Sequence, residues 1–273
     1  MRILFFGDVF GKPGRQAVKT AIMKLSAEFS PDFIVVNGEN AAHGKGITKA
    51  LVEEFFEMGV DVITTGNHAW DQQDSVEYYN RCDRLLRPVN YPESDLNLVP
   101  GKGVVVVQSK VRPKLKLAVM LLMGRVFMDP LECPFHRGRR EIQKLHAMGV
   151  KNILVDFHGE ASSEKQAFAH FVDGDVTAVV GTHSHVQTAD ERILPKGTAA
   201  ITDVGMSGCF DSVIGMKKEL VIRKFLTKMP TRFEPAEGPG GYGAVVIEVD
   251  DTTGKATQIH RFREEVIRWG VSL

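Results

Sequence analysis

The chain has 273 residues, 43% of them hydrophobic, with 26 glycines, enough to bury a sizeable core as one large α/β domain spanning 1–273. Lys plus Arg and Asp plus Glu both number 34. Such a balance excludes a global field pulling the chain to duplex DNA or an anionic membrane, so any phosphate recognition must be local and a small metabolite is the better partner. No apolar run approaches the roughly 18 residues of a membrane span, no signal-peptide pattern opens the sequence, and Cys82, Cys133 and Cys209 follow no disulfide or CxxC pattern. A cytoplasmic location is expected.

In chain order, MRILFFGD predicts a buried strand ending at Asp8. A glycine-rich turn, Gly11 to Gly14, then leads into a helix from about Arg15 to Glu28, with Val18, Ile22, Leu25 and Phe29 on its apolar face. After Pro31, FIVVNGEN gives a second strand that breaks off at Glu39 and Asn40. AAHGKGIT is a loop, Thr48 an N-cap, and Gly59 the stop of a second helix with Leu51, Phe55 and Phe56 on its buried face. The strand VDVITTG follows and ends at Asn67 and His68. Residues 104–107 and 115–122 predict a hairpin that departs from strict βαβ order, and helical periodicity returns over Arg139–Met148. ILVDFHGE ends at His158, and AVVGTHSH at His183 and His185. AAITDVG, GAVVIEVD and TQIHRF read as further strands, the last two joined by a turn at Asp251–Gly254. Residues 235–243, PAEGPGGYG, read as a mobile loop.

Five apolar runs thus break off into Asp, Glu, Asn or His. In open α/β sheets chemistry gathers beyond the carboxyl ends of the strands, so these side chains are expected along one rim. Eight metal-competent groups there point to a dinuclear metal site. Asp8 taken alone is equally an Asx-turn residue. Glu39 is harder to set aside, because a carboxylate at the edge of a core needs a cation and no Lys or Arg stands in the five residues before it. His183 and His185, at i and i+2 after a strand, both reach one rim if the chain turns between them. His43 and Lys45, on the loop after Glu39, are candidates for contact with a substrate phosphate. Arg15 is read as structural, bonding a neighbouring carbonyl, and His136–Arg140 as a helix start with a solvated basic face. His146, His170 and His260 are assigned to positions away from the rim.

The order Asp, Gly-Glu-Asn, Gly-Asn-His, an isolated His and Gly-x-His-x-His resembles the calcineurin-like metallophosphoesterases. Within them it is most similar to the YmdB-like bacterial branch, described as 2′,3′-cyclic nucleotide phosphodiesterases. GDVFGKPGR, NGENAAHGKGIT, TTGNHAWD, TDVGMSG and DSVIGM extend the resemblance over nearly the whole chain. Where the wider superfamily has Asp-x-His and Gly-Asp, this sequence has Asp8-Val9-Phe10 and Gly38-Glu39, departures that the branch shares.

The resemblance implies a four-layer αββα sandwich of two mixed sheets. It implies one metal held by Asp8, Glu39, Asn40 and His185, and another held by Glu39, Asn67, His158 and His183, with Glu39 bridging. It further implies attack of a dimetal-bridging hydroxide on a small phosphodiester, with His68 as general acid. Oxygen and imidazole ligands without thiolate favour two iron or manganese ions and tolerate zinc. Phosphomonoesterase activity, or a regulatory nucleotide-binding role with negligible turnover and an RNA-derived ligand, are the competing expectations. The apolar stretch Asp203–Glu219 is expected either to pack under the site or to face another copy in a homo-oligomer.

Overall fold

The computed structural model describes residues 1–93 and 99–265. Strands β1 (Arg2–Phe6), β2 (Phe33–Asn37), β3 (Val62–Thr64) and β4 (Leu85–Leu86) lie parallel in the first sheet. They alternate with helices α1 (Gly11–Phe29), α2 (Lys49–Glu57) and α3 (Gln73–Tyr79). The second sheet starts with β5 (Val104–Gln108), antiparallel to β6 (Lys116–Met123) as the sequence predicts. After α4 (Pro134–Ala147), β7 (Ile153–His158), α5 (Ser162–Phe171) and β8 (Ala178–Thr182), it is completed by β9 (Arg192–Ile193) and β10 (Ala199–Ile201). The chain then returns to the first sheet through β11 (Gly208–Cys209), α6 (Lys218–Thr227), β12 (Gly240–Val249) and β13 (Ala256–Glu265). There β12 lies antiparallel to β1, with β13 on its other edge.

Three apolar layers hold this arrangement together. Leu4, Phe6 and Val36 of the first sheet pack on Val18, Leu25 and Phe55 of α1 and α2. Ile3, Phe5 and Val35, on the opposite faces of the same strands, meet Leu117, Val119, Leu121 and Leu154 of the second sheet across the gap. Met120, Leu122 and Val155, on the far side of the second sheet, cover Ile142, Leu145 and Phe168 of α4 and α5. The layers therefore run helix, sheet, sheet, helix, the expected αββα sandwich. Each fully buried aliphatic or aromatic side chain contributes about 1.5–3 kcal/mol. No helix among the described residues is long and apolar enough to cross a membrane.

Two sequence expectations are corrected here, both at glycines. The Gly11–Gly14 segment is the first turn of α1 and not a turn before it. A Cβ at Gly14 would lie 2.1 Å from the Ser207 carbonyl oxygen, so glycine serves close packing there. Likewise, Gly240–Gly243 open β12 instead of forming a loop, and a Cβ at Gly240 would lie 2.3 Å from the Pro13 carbonyl oxygen. Small residues let α1 approach β12 and β11 closely. Thr48 caps α2 as predicted, its hydroxyl accepting from the Leu51 N–H at 3.3 Å.

Candidate metal centre and active site

Because β1, β2, β3, β7 and β8 run parallel within their sheets, their carboxyl ends deliver side chains to one rim. Asp8, Glu39, Asn40 and His158 are all buried there. The His158 Nε2 lies 3.1 Å from Glu39 Oε1, 2.9 Å from Asn67 Oδ1 and 3.0 Å from His183 Nδ1. One ring nitrogen cannot satisfy three acceptors with a single hydrogen. Lone pairs converging on one point in this way fit a cation, and Glu39, His158 and His183 place ligand atoms within 4.8 Å of one another.

The second half of the cluster has the same property. Asn40 donates its amide N–H to the Gly44 carbonyl at 3.0 Å, which turns Oδ1 toward His185 Nε2, 3.1 Å away. His185 in turn donates from Nδ1 to the Ile214 carbonyl at 2.8 Å, so its Nε2 presents a lone pair to that oxygen. Asp8 Oδ2 accepts from the His183 N–H at 3.1 Å, while its buried Oδ1 has no hydrogen-bond partner. Two facing acceptors and an orphaned carboxylate oxygen fit a second cation. Gly66 leaves the room: a Cβ there would lie 2.1 Å from Glu39 Oε2 and 2.4 Å from His158 Nε2.

The surroundings fix the tautomers. His158 Nδ1–H donates to Thr182 Oγ1 at 2.9 Å, and Thr182 donates onward to Asp156 Oδ1 at 2.7 Å. Asp156 Oδ2 also accepts from Thr64 at 2.5 Å and Asn37 at 3.0 Å. Such partners leave the Nε2 lone pair free to face a cation. His183 Nε2 pairs with Glu160 at 3.2 Å, freeing its Nδ1. His183 and His185 both hold left-handed backbone conformations, with φ of 100° and 64°. That conformation costs of order 1–3 kcal/mol per residue and must be imposed by the surroundings. Asp203 supplies part of the constraint, accepting from the Ser184 N–H at 3.0 Å and the Gly205 N–H at 2.8 Å while pairing with buried Lys165 at 2.6 Å.

Electrostatics follow from this crowding. Burial pulls the His158 imidazole down, but the Glu39 carboxylate, with Asp8 and Asp156, outweighs it and lifts the pKa to about 9. Burial raises Glu39, yet His158 beside it, with His68 and His183, brings it down to about 2. Burial and the charge on His158 push His183 down to about 3. Burial also raises Asp8. A proton on His158 thus takes the place where the acceptors call for positive charge.

His68 stands beside the cluster. Its backbone N–H faces Glu39 Oε2 at 3.3 Å, and its Nδ1 lies 2.8 Å from Asp71 Oδ2, which orients the ring. His68 lines a cavity of about 650 Å³ together with Glu39, Asn40, Lys45, His183 and His185. His43 is not brought to that cavity. The left-handed turn at His43 and Gly44, φ 53° and 88°, directs it to a separate concavity with Lys12, Gln16 and Lys217. Arg15 donates to the Ala41 carbonyl at 2.6 Å and so anchors the loop after Glu39. Of the stretch Asp203–Glu219, Val204, Met206 and Cys209 are buried, while Val213, Ile214 and Met216 line the cavity.

The profile of the YmdB-like protein family matches residues 4–262. The chain belongs to this family. This YmdB-like chain is 48% identical over 261 residues to the 2′,3′-cyclic-nucleotide 2′-phosphodiesterase of Bacillus subtilis, covering 96% of each. A solved novel phosphatase from Mycoplasma pneumoniae superposes with a TM-score of 0.88 at 37% identity, over 97% of this chain and 93% of that one. The 5′-nucleotidase precursor of Thermus thermophilus, at 12% identity and a TM-score of 0.58, spans 96% of this chain and 54% of its own, and shares the metallophosphoesterase fold.

Sequence reasoning missed Thr182, Asp156, Lys165 and Asp203, which lie behind the metal-competent side chains, and Glu160, which lines the cavity beside His183. One signal was available: Asp156 is a carboxylate inside the buried run ILVDFH, where a charge needs several donors.

Proposed function

We propose that this chain is a metal-dependent phosphodiesterase that hydrolyses small phosphodiesters such as 2′,3′-cyclic nucleotides, with His68 as the proton donor. The chain is a phosphoric ester hydrolase, in keeping with its family and its relatives. The observation that carries the finer reading is the convergence of unshared lone pairs from Asp8, Glu39, Asn40, Asn67, His158, His183 and His185 at the wall of a cavity that also holds His68. Asp8, Glu39, Asn40 and His185 would hold one ion, and Glu39, Asn67, His158 and His183 the other. Iron or manganese suits these oxygen and imidazole ligands, and zinc is tolerated. When bound, the pair supplies Lewis-acid neutralisation of phosphate oxygens and an acidified water as nucleophile.

The protein's own residues do the rest. In hydrolysis a water oxygen bonds to phosphorus, one phosphorus–ribose oxygen bond breaks, and the departing oxygen takes a proton. His68, oriented by Asp71, gives that proton from Nε2, and Lys45 at the cavity rim meets the phosphate charge. His43, outside the cavity, has no part in this reading. A single domain in the cytoplasm completes the proposal, and the free thiols of Cys82, Cys133 and Cys209 support a reducing compartment.

Metal-reconstituted protein assayed with 2′,3′-cyclic AMP, bis-para-nitrophenyl phosphate and the mono-ester tests this. Cleavage of the diesters ahead of the mono-ester is expected. His68→Ala should lower kcat by about 10²–10⁴ while keeping its metal, and Glu39→Ala should lose metal and activity together. Full turnover in both variants would refute the assignment.

A further inference from the structure

The cavity extends well past the metal-competent cluster. Its outer wall, built by α6 and the segments on either side, presents Ile214, Phe225 and Phe233, which are 51%, 68% and 42% exposed. Two aromatic rings left open beside an active site are large apolar surfaces, and neither stacks on another aromatic ring among the described residues. Lys224 and Lys228 line the same wall, and the Lys228 Nζ lies 5.4 Å from the centroid of the Phe225 ring.

Charge sets these two lysines apart from their neighbours. Lys217 and Lys218 in the same segment are neutralised by Glu234 at 2.7 Å and Asp211 at 2.6 Å. Lys224 and Lys228 have no carboxylate partner among the described residues. In a chain whose charges balance overall, this is a local positive patch, interleaved with aromatic faces. Surfaces that bind single-stranded nucleic acid combine these two elements, stacking bases on aromatic rings while cations follow the backbone. The core of an interface with another protein is instead depleted in lysine.

We infer that this wall is a subsite for a second nucleotide, and that the preferred substrate is the 3′ end of an oligoribonucleotide carrying a terminal 2′,3′-cyclic phosphate. The inference rests on the phosphodiesterase reading above. With the cyclic phosphate at the metal-competent cluster, the preceding nucleotide lies over α6, its base against Phe225 and Phe233 and its phosphodiester near Lys224 and Lys228.

The test compares kcat/KM of the full-length, metal-reconstituted protein on 2′,3′-cyclic AMP and on a diadenylate ending in a 2′,3′-cyclic phosphate. The diadenylate should be favoured about tenfold or more, from stacking of one further base, and the preference should shrink as salt is raised. Phe225→Ala and Lys228→Ala change exposed side chains, Lys224→Ala a half-buried one, and Phe225→Ala and the Lys224→Ala/Lys228→Ala pair should each bring the ratio toward one. Equal kcat/KM in the wild type, or a ratio that these substitutions leave unchanged, would overturn the inference, as expected if another copy of the chain covers the wall. Cleavage of the mononucleotide without preference would sink this inference alone, whereas cleavage of neither substrate would take the phosphodiesterase reading with it.

Discussion

Thr182→Val removes one oxygen atom at nearly constant volume, and its consequences can be worked from the structure. Thr182 Oγ1 accepts from His158 Nδ1–H at 2.9 Å and donates to Asp156 Oδ1 at 2.7 Å. Thr182, His158 and Asp156 are all fully buried, so water cannot replace the lost hydroxyl. Two groups are left without a partner, at about 1–3 kcal/mol each, or about 2–6 kcal/mol of folding stability in total. The ring also loses what fixes its tautomer, which typically costs about 10–100-fold in metal affinity. Urea denaturation of the metal-stripped protein reads the first effect, and calorimetric titration with Mn²⁺ the second. Thr182→Ser keeps the hydroxyl and should restore metal affinity. If Thr182→Val stayed within about 0.5 kcal/mol of wild type and bound Mn²⁺ equally well, the hydrogen-bonded chain from His158 to Asp156 would have no positioning role.

Further outcomes follow from the same geometry. Gly66→Ala puts a methyl group into the space between Glu39 and His158, so activity should fall about a hundredfold or more, with metal content falling alongside. Lys165→Met leaves Asp203 buried and unpaired, and should cost about 3–5 kcal/mol in a denaturation experiment, a loss under about 1 kcal/mol contradicting the assigned role. In the metal-free fold the His158 pKa is raised to about 9, so its contribution to stability is fully present below its unfolded value and is lost as pH rises through about 9. Metal must displace that proton, so apparent affinity should rise about tenfold per pH unit toward pH 9 and then level off. Calorimetry at neutral pH in two buffers of different ionisation enthalpy should find release of about one proton from His158; release of none would refute this.

What the sequence made legible is whatever depends on short stretches of chain. Asp8, Glu39, Asn67, His158 and His183 each end a continuous apolar run, and parallel strands carry such ends to one rim. The αββα layering was legible only through the resemblance, since no local pattern tells β12 to pair with β1 from the other end of the chain. Glycine was misread twice, at Gly11–Gly14 and Gly240–Gly243, because flexibility and close packing leave the same mark in a sequence. Lys165 and Asp203 lie on separate elements and meet only through the tertiary fold, so their pairing had no local signature. The placement of His43 turned on the backbone conformation at two residues, which composition does not encode.

The most direct test of the central claim is to add Mn²⁺ stepwise to metal-stripped protein while counting the ions bound and following hydrolysis of 2′,3′-cyclic AMP. No turnover is expected at the start, followed by a rise that completes when two ions are bound per chain, with Glu39→Ala binding neither tightly. Full turnover by the stripped protein, or none after both ions are bound, would contradict it.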